Sequence, residues 1–286
     1  MDVEHSQTVF SPAPAPPAVW RLIITPPASG ARNMAVDEAI ATLSAQGHSP
    51  PTLRFYQWQP GTVSLGRHQS IAEVDRAAIR ARGYGLVRRP TGGRAILHID
   101  ELTYSIAGPQ DEPRLSGAIL DSYMRLSEGL VLGLQRLGIA AVKAPGSSRT
   151  GPDVSAVCFE VPSAYEICAG GKKLIGSAQS RRAGYVLQHG SLPLYGDITR
   201  LVDVLALPTP EERAALKRLV ASRATTVAEQ LGRRVTFWEA ATVLIDGLNS
   251  ALNVDFEEGE LSPEEEALAA ELEAEKYANP AWTERV

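Results

Sequence analysis

Residues 157–191 gather side chains that nucleophilic and proton-transfer chemistry uses: the thiol of Cys158, the adjacent amines of Lys172 and Lys173, the small residues Gly176, Ser177 and Ala178, and His189 followed by Gly190. A free thiol titrates near about 8.5, so only a few per cent is thiolate at neutral pH, and a neighbouring ammonium raises that fraction. Adjacent strand positions face opposite ways, so one lysine points into the protein and the other to solvent. A partly desolvated lysine both stabilises a thiolate and takes up a proton. Cys168 is a second thiol. With Gly170 and Gly171 as a two-residue hairpin turn, it lies opposite Lys173, and spacing alone leaves the choice of nucleophile open. The ordinary role of a lone cysteine is that of a small buried hydrophobe. Gly176, Ser177 and Ala178 let backbone amides approach a ligand carbonyl or phosphate closely, or else serve a tight strand crossing.

A second cluster is Arg88-Arg89-Pro90-Thr91-Gly92-Gly93-Arg94-Ala95, followed by His98. Glycines between arginines offer backbone donors and guanidinium charge to an anionic substrate; a hairpin loop with solvated arginines has the same pattern. His98 and His189 follow these loops, and a histidine in such a place is more often a hydrogen-bonded structural residue than an acid or a base.

These clusters need a rigid frame. Residues 20–25 read as a strand, and Met34, Ala35, Ile40 and Leu43 mark a helix over 33–44. Short strand-like pieces follow from residue 53, then a helix over 75–82 closed by Gly83. Strands over 95–99 and 102–107 are expected to form a hairpin. Apolar residues at three- and four-residue steps predict an amphipathic helix over 115–137, ended by Gly138. A second β block spans 157–194. Beyond residue 194 the pattern is helical, with candidates at 197–205, 211–219, 236–252 and 263–277, the last opened by Ser262-Pro263-Glu264-Glu265, and a helical tail follows about residue 208. The fold class expected is α+β, with mixed, mainly antiparallel sheets and packing helices. The expected division is a disordered Pro/Ala arm at 1–17, a catalytic domain at 18–255 and a C-terminal helical extension at 256–286. No strand leads into GxGxxG or GxxxxGK[ST], which disfavours a doubly wound nucleotide fold.

The 286-residue chain is long enough to bury a core without disulfides or metal, and it carries 28 Lys+Arg against 33 Asp+Glu, a net charge of −5. Without a basic run, an apolar span or a leader pattern, it reads as a cytoplasmic monomer with free thiols that binds neither nucleic acid nor membrane.

Taken together, RRPTGGRAILH (88–98), CFEVPSAYE (158–166), GKKLIGSAQ (171–179), LQHGSLPL (187–194) and KYANPAW (276–282) resemble the biotin/lipoate protein ligase and lipoyl (octanoyl) transferase family, and the order matches as well as the words. The likeness runs from about residue 20 to 252. It implies a catalytic domain with a mixed sheet in which Arg89, Thr91, Gly92, Gly93, Arg94, Ala95, His98, Gly176, Ser177, Ala178, His189 and Gly190 contact the substrate. It also implies Lys173 as the motif lysine. The CFExPSxYE segment is similar to the cysteine-dependent octanoyltransferase branch, which assigns the nucleophile to Cys158 and leaves Cys168 as packing. The resemblance further implies octanoyl-acyl carrier protein as donor, a lipoyl domain or glycine-cleavage H protein as acceptor, and no cofactor. Three other readings stand beside it: an ATP-dependent lipoate ligase, an amidotransferase between carrier domains, and a non-catalytic lipoyl-domain binder.

Overall fold

The structure, a computed structural model, describes residues 15–144 and 166–286. Cys158 lies outside the described residues. The chain forms an α+β fold around a mixed, mainly antiparallel eight-stranded sheet. Its strands are β1 (Ala18–Ile24), β2 (Thr52–Tyr56), β6 (Glu101–Pro109), β7 (Ala141–Lys143), β8 (Ile167–Ala169), β9 (Lys172–Arg182), β10 (Tyr185–Pro193) and β11 (Val254–Glu258), in the order β11-β1-β2-β6-β10-β9-β8-β7. A three-stranded sheet holds β3 (Thr62–Leu65) between β4 (Gly85–Arg88) and β5 (Ile96–His98).

The helices are α1 (Gly30–Ala45), α2 (Arg76–Ala81), α3 (Ile119–Arg136), α4 (Pro210–Arg223), α5 (Val227–Leu231), α6 (Phe237–Leu252), α7 (Pro263–Leu272) and α8 (Pro280–Thr283). Apolar stripes on α3 (Leu126, Leu130, Leu134) and α6 (Leu244, Leu248) bury one face of the large sheet. These two helices cross at glycines: a Cβ on Gly247 would stand 2.3 Å from the Gly129 carbonyl oxygen, so no larger residue fits. On the opposite face, Val36, Ala39 and Ile40 of α1 pack on Tyr185 and Leu187 of β10 and on Ala269 of α7. Ser29 caps α1 by accepting from the Arg32 N–H at 3.1 Å, which sets the helix start.

Several expectations change. Strands β5 and β6 are not a hairpin: β5 pairs with β3 in the small sheet, whereas β6 pairs with β2 and β10 in the large one. Asp100, with φ 54°, turns the chain from one sheet to the other, a left-handed conformation that a short aspartate tolerates. The segment expected as a helix over 197–205 is a 3-10 turn, Arg200–Val204. Helix α3 begins four residues later than its apolar spacing suggests, because Gly117 at φ 88° breaks the chain and the Asp121 carboxylate caps the Ala118 N–H at 2.9 Å. The chain after residue 208 also supplies a strand, β11, which pairs in parallel with β1 across the 255/256 division. Residues 15–17, expected in the arm, are held at two carbonyls: Asn253 Nδ2 donates to Ala15 at 3.1 Å, and Arg114 donates to Pro16.

Candidate active site

A cavity of about 240 Å³ opens at the seam between the two sheets. Met34 of α1, Trp58 and Ile96 supply apolar walls, the Gly92-Gly93 turn closes one side, and residues 176–179 of β9 with 189–191 of β10 form the floor. This volume is below the roughly 300–1,000 Å³ of drug-sized sites and suits a small, mostly apolar ligand. The register explains the floor: Gly176 faces Ser191, Ser177 faces Gly190 and Ala178 faces His189. Gly190 has no room for a side chain, since a Cβ would lie 2.5 Å from Tyr104 Cε1 and 2.6 Å from Ser177 Oγ. Ser177 Oγ is 2.6 Å from the Tyr104 hydroxyl, which also accepts from Gln188 Nε2 at 3.0 Å. Burial is the main cause that pushes the Tyr104 phenol up to about 12, so it stays protonated.

The Gly170-Gly171 turn, at φ 56° and 76°, sets Cys168 opposite Lys173, as the hairpin reading requires. The two lysines divide as alternation demands. Lys173 is buried, and Lys172 reaches outward to donate to the Ala221 carbonyl at 2.8 Å. Lys173 forms an ion pair with the buried carboxylate of Glu166. Its ammonium lies beside the floor: a Cβ on Gly176 would stand 3.0 Å from Lys173 Cε and 3.3 Å from Nζ. The pair therefore brings a proton and a carboxylate acceptor to the cavity edge. Cys168 is buried, and burial, then the Glu166 charge, push its thiol above the ordinary range against the pull of Lys173.

His189 Nε2 meets Thr91 Oγ1 at 2.6 Å, and Nδ1 faces Asp37 Oδ2 across 3.5 Å. Asp37 accepts from Arg54 Nη1 at 2.7 Å, the Tyr56 hydroxyl at 2.8 Å and Ser105 Oγ at 2.8 Å. Burial favours the neutral carboxyl, but the Arg54 charge, the contact with His189 and the Tyr56 hydrogen bond together leave Asp37 below the usual carboxylate range. His98 stacks on Trp58 at 4.0 Å between ring centres and is held by Glu101 at 2.7 Å and Ser64 Oγ at 2.8 Å.

Of the residues expected to contact substrate, Arg89, Gly92, Gly93, His98, Gly176, Ser177, Ala178, His189 and Gly190 line the cavity. Thr91 stands behind the lining through His189. Arg89 spends its donors on carbonyls of Ser64, Gly92 and Arg94, which holds the loop in shape. Arg94 turns to Glu73 at 2.9 Å, and Ala95 is buried with Val63 and Leu65, so both stand apart from the lining. Sequence reading passed over Asp37, Glu101 and Glu166. The signal for Asp37 was a carboxylate within the otherwise apolar NMAVDEAIA run, and Glu166 closed a motif already quoted. Among the described residues no group of His, Cys, Asp and Glu could hold a metal ion, and no helix is long and apolar enough to cross a membrane.

Residues 29–249 match the family model described as lipoyl protein ligase A/B catalytic domain. The chain is 44% identical over 271 residues to a curated protein of Kyrpidia tusciae named octanoyltransferase LipM, covering 93% of this chain and 98% of that protein. A solved bipartite lipoate protein ligase of Thermoplasma acidophilum, described with its E2 lipoyl domain, superposes with a TM-score of 0.77 at 27% identity, over 93% of this chain and 96% of that one. A lipoate-protein ligase A bound with ATP superposes with a TM-score of 0.76 at 29% identity, over 94% of this chain and 99% of that one.

Proposed function

The chain belongs to the lipoyl protein ligase A/B catalytic-domain family, and from that premise we propose that it is a cytoplasmic, monomeric octanoyltransferase. It moves octanoyl from acyl carrier protein, through a thioester on Cys158, to a lysine of a lipoyl domain such as the glycine-cleavage H protein. The observation that carries this reading is the buried Lys173–Glu166 pair lodged against Gly176 at the edge of a small apolar-walled cavity. Its relative from Kyrpidia tusciae bears the name octanoyltransferase. Cys158 precedes the cavity-lining Glu166 by eight positions, a length that spans at most roughly 28 Å when extended.

In the first half-reaction the Cys158 thiolate attacks the donor thioester. A new carbon–sulfur bond forms, the donor's carbon–sulfur bond breaks, and the carrier leaves as a thiol after taking a proton. In the second, the neutral acceptor amine attacks the acyl-enzyme, the carbon–nitrogen bond forms and the Cys158 thiolate is released. The acceptor's proton passes to the Lys173–Glu166 pair and on to solvent, while backbone amides hold the oxyanion. Burying the methylenes of the chain contributes about 0.8 kcal/mol each. Such a scheme needs no ATP.

The second reading is an ATP-dependent ligase, favoured by the likeness to the ATP-bound ligase structure. The test is incubation with octanoyl-acyl carrier protein in the absence of ATP, read by intact mass and peptide mapping. The expected result is one octanoyl mass on Cys158, lost in Cys158→Ser. No adduct, together with ATP-dependent acylation of a lipoyl domain from free octanoate or lipoate, overturns this reading in favour of the ligase.

A further inference from the structure

Three cations converge on one indole beside the cavity. The Arg285 guanidinium lies 3.7 Å from the centre of the Trp282 ring, Lys276 Nζ 4.3 Å and the Arg67 guanidinium 5.9 Å. Arg285 Nη2 also donates to the Arg67 carbonyl at 2.9 Å. After burial, the charges of Arg67 and Arg182 are what lower the pKa of Arg285, and Arg182 and Arg67 oppose the charged form of Lys276 as well. One carboxylate answers them: Glu38 pairs with Lys276 at 2.5 Å and with Arg182 at 3.3 Å. Among the described residues neither Arg67 nor Arg285 forms an ion pair, and Arg67 Nη1 is buried with no hydrogen-bond acceptor. A buried guanidinium nitrogen left unmatched is unfavourable, and arginine's fork suits a phosphate oxygen pair.

The patch stands on the same loop that shapes the cavity. The Arg67 N–H donates to the Thr91 carbonyl at 2.8 Å, and Trp282 Nε1 donates to the Arg88 carbonyl at 2.8 Å. Met34, a wall of the cavity, packs in one apolar cluster with Tyr277 and Trp282. A donor whose acyl end fills the cavity can thus lay an anionic group on this patch. In a chain of net charge −5, such a concentration of positive charge favours an anion over a neutral partner.

We propose that Arg67 and Arg285, backed by Arg182 and Lys276, bind the phosphate of the phosphopantetheine arm that carries the acyl thioester. This rests on the thioester-donor reading above. The phosphate is shared by two sources, an acyl carrier protein and coenzyme A, and the site reads the group they have in common.

The test compares initial rates with octanoyl thioesters of pantetheine, 4′-phosphopantetheine, coenzyme A and acyl carrier protein, in the wild type and in Arg67→Met, Arg285→Met and Arg67→Lys. In the wild type the three phosphorylated donors should show KM values about tenfold or more below that of pantetheine, the scale of a charge-assisted hydrogen bond. Either methionine variant should raise the KM of the phosphorylated donors towards the pantetheine value, with kcat retained and the lysine variant recovering part of the gain. Thermal melts confirm folding, and exposed Arg285 serves should Arg67→Met be unstable. Equal wild-type KM values for pantetheine and phosphopantetheine overturn the proposal, as does a gain confined to coenzyme A, whose further phosphates would then be the cause. Failure to take octanoyl from any thioester, with no adduct on Cys158, overturns the proposed function itself.

Discussion

The Lys173 ammonium stands against Gly176, 3.3 Å from the position a Cβ would take. The obstructing atoms are the far end of a flexible side chain, so Gly176→Ala should fold with a stability loss of about 1 kcal/mol or less while displacing the amine. Octanoyl transfer should fall about 10- to 100-fold, the scale of misplaced proton transfer. Gly190→Ala is the contrast: its Cβ would press on Tyr104 and on the Gly176 carbonyl, so it should lower stability by about 1–3 kcal/mol. Thermal melts beside single-turnover rates separate the two, and a Gly176→Ala enzyme with wild-type turnover would remove Lys173 from its assigned place.

His189 makes stability depend on pH. Burial pushes its pKa below the ordinary histidine value, and the pull of Asp37 towards the charged form does not overcome this. The unfolded chain therefore binds the proton more readily than the fold does. Stability is full above the unfolded pKa of about 6.5 and declines as pH falls from there to the lower folded pKa, by at most about 1.4 kcal/mol per pH unit. Urea titrations from pH 7.5 to 5 should show this decline in the wild type and a flatter profile in His189→Gln; parallel profiles would refute the assignment.

Cys168 should behave as packing. Its buried thiol is pushed above the ordinary range by burial and by Glu166, so at pH 7.5 it should resist iodoacetamide in the native protein, and Cys168→Ala should keep transfer within a few-fold. Loss of the octanoyl adduct in Cys168→Ala, with Cys158 intact, would reverse the choice of nucleophile.

Ile96 also borders a second, smaller cavity of about 30 Å³, together with Glu101 and Ser191. Ile96→Ala should join the two spaces and relax selection for chain length. At about 0.8 kcal/mol per methylene, a decanoyl donor should gain roughly tenfold relative to octanoyl, at a stability cost of about 2 kcal/mol. Competition between the two donors, read by mass on the acceptor domain, measures the ratio.

The sequence was most legible where local rules act alone. Strand alternation separated Lys172 from Lys173, and paired glycines placed Cys168 opposite the latter. The motif words located most of the lining, and two of their glycines, Gly176 and Gly190, stand where Lys173 and Tyr104 leave little room for a side chain. What escaped was tertiary. Nothing local says that β5 and β6 part at Asp100 to join different sheets, or that Asp37 meets Arg54 and His189 across the sheet face. Arg94 shares its motif with Arg89, yet it turns to Glu73, which only the folded loop decides.

Arg88 is fully buried, and its guanidinium donates to the carbonyls of Gly66 at 2.8 Å, Gln69 at 2.6 Å and Thr283 at 2.7 Å. Two stretches distant in sequence are thereby committed to a single side chain, and releasing either leaves a desolvated charge behind. In native-state hydrogen exchange the backbone amides around residues 66–69 and 280–283 should consequently open as one cooperative unit, with a common free energy and denaturant slope, although more than 200 residues separate them along the chain.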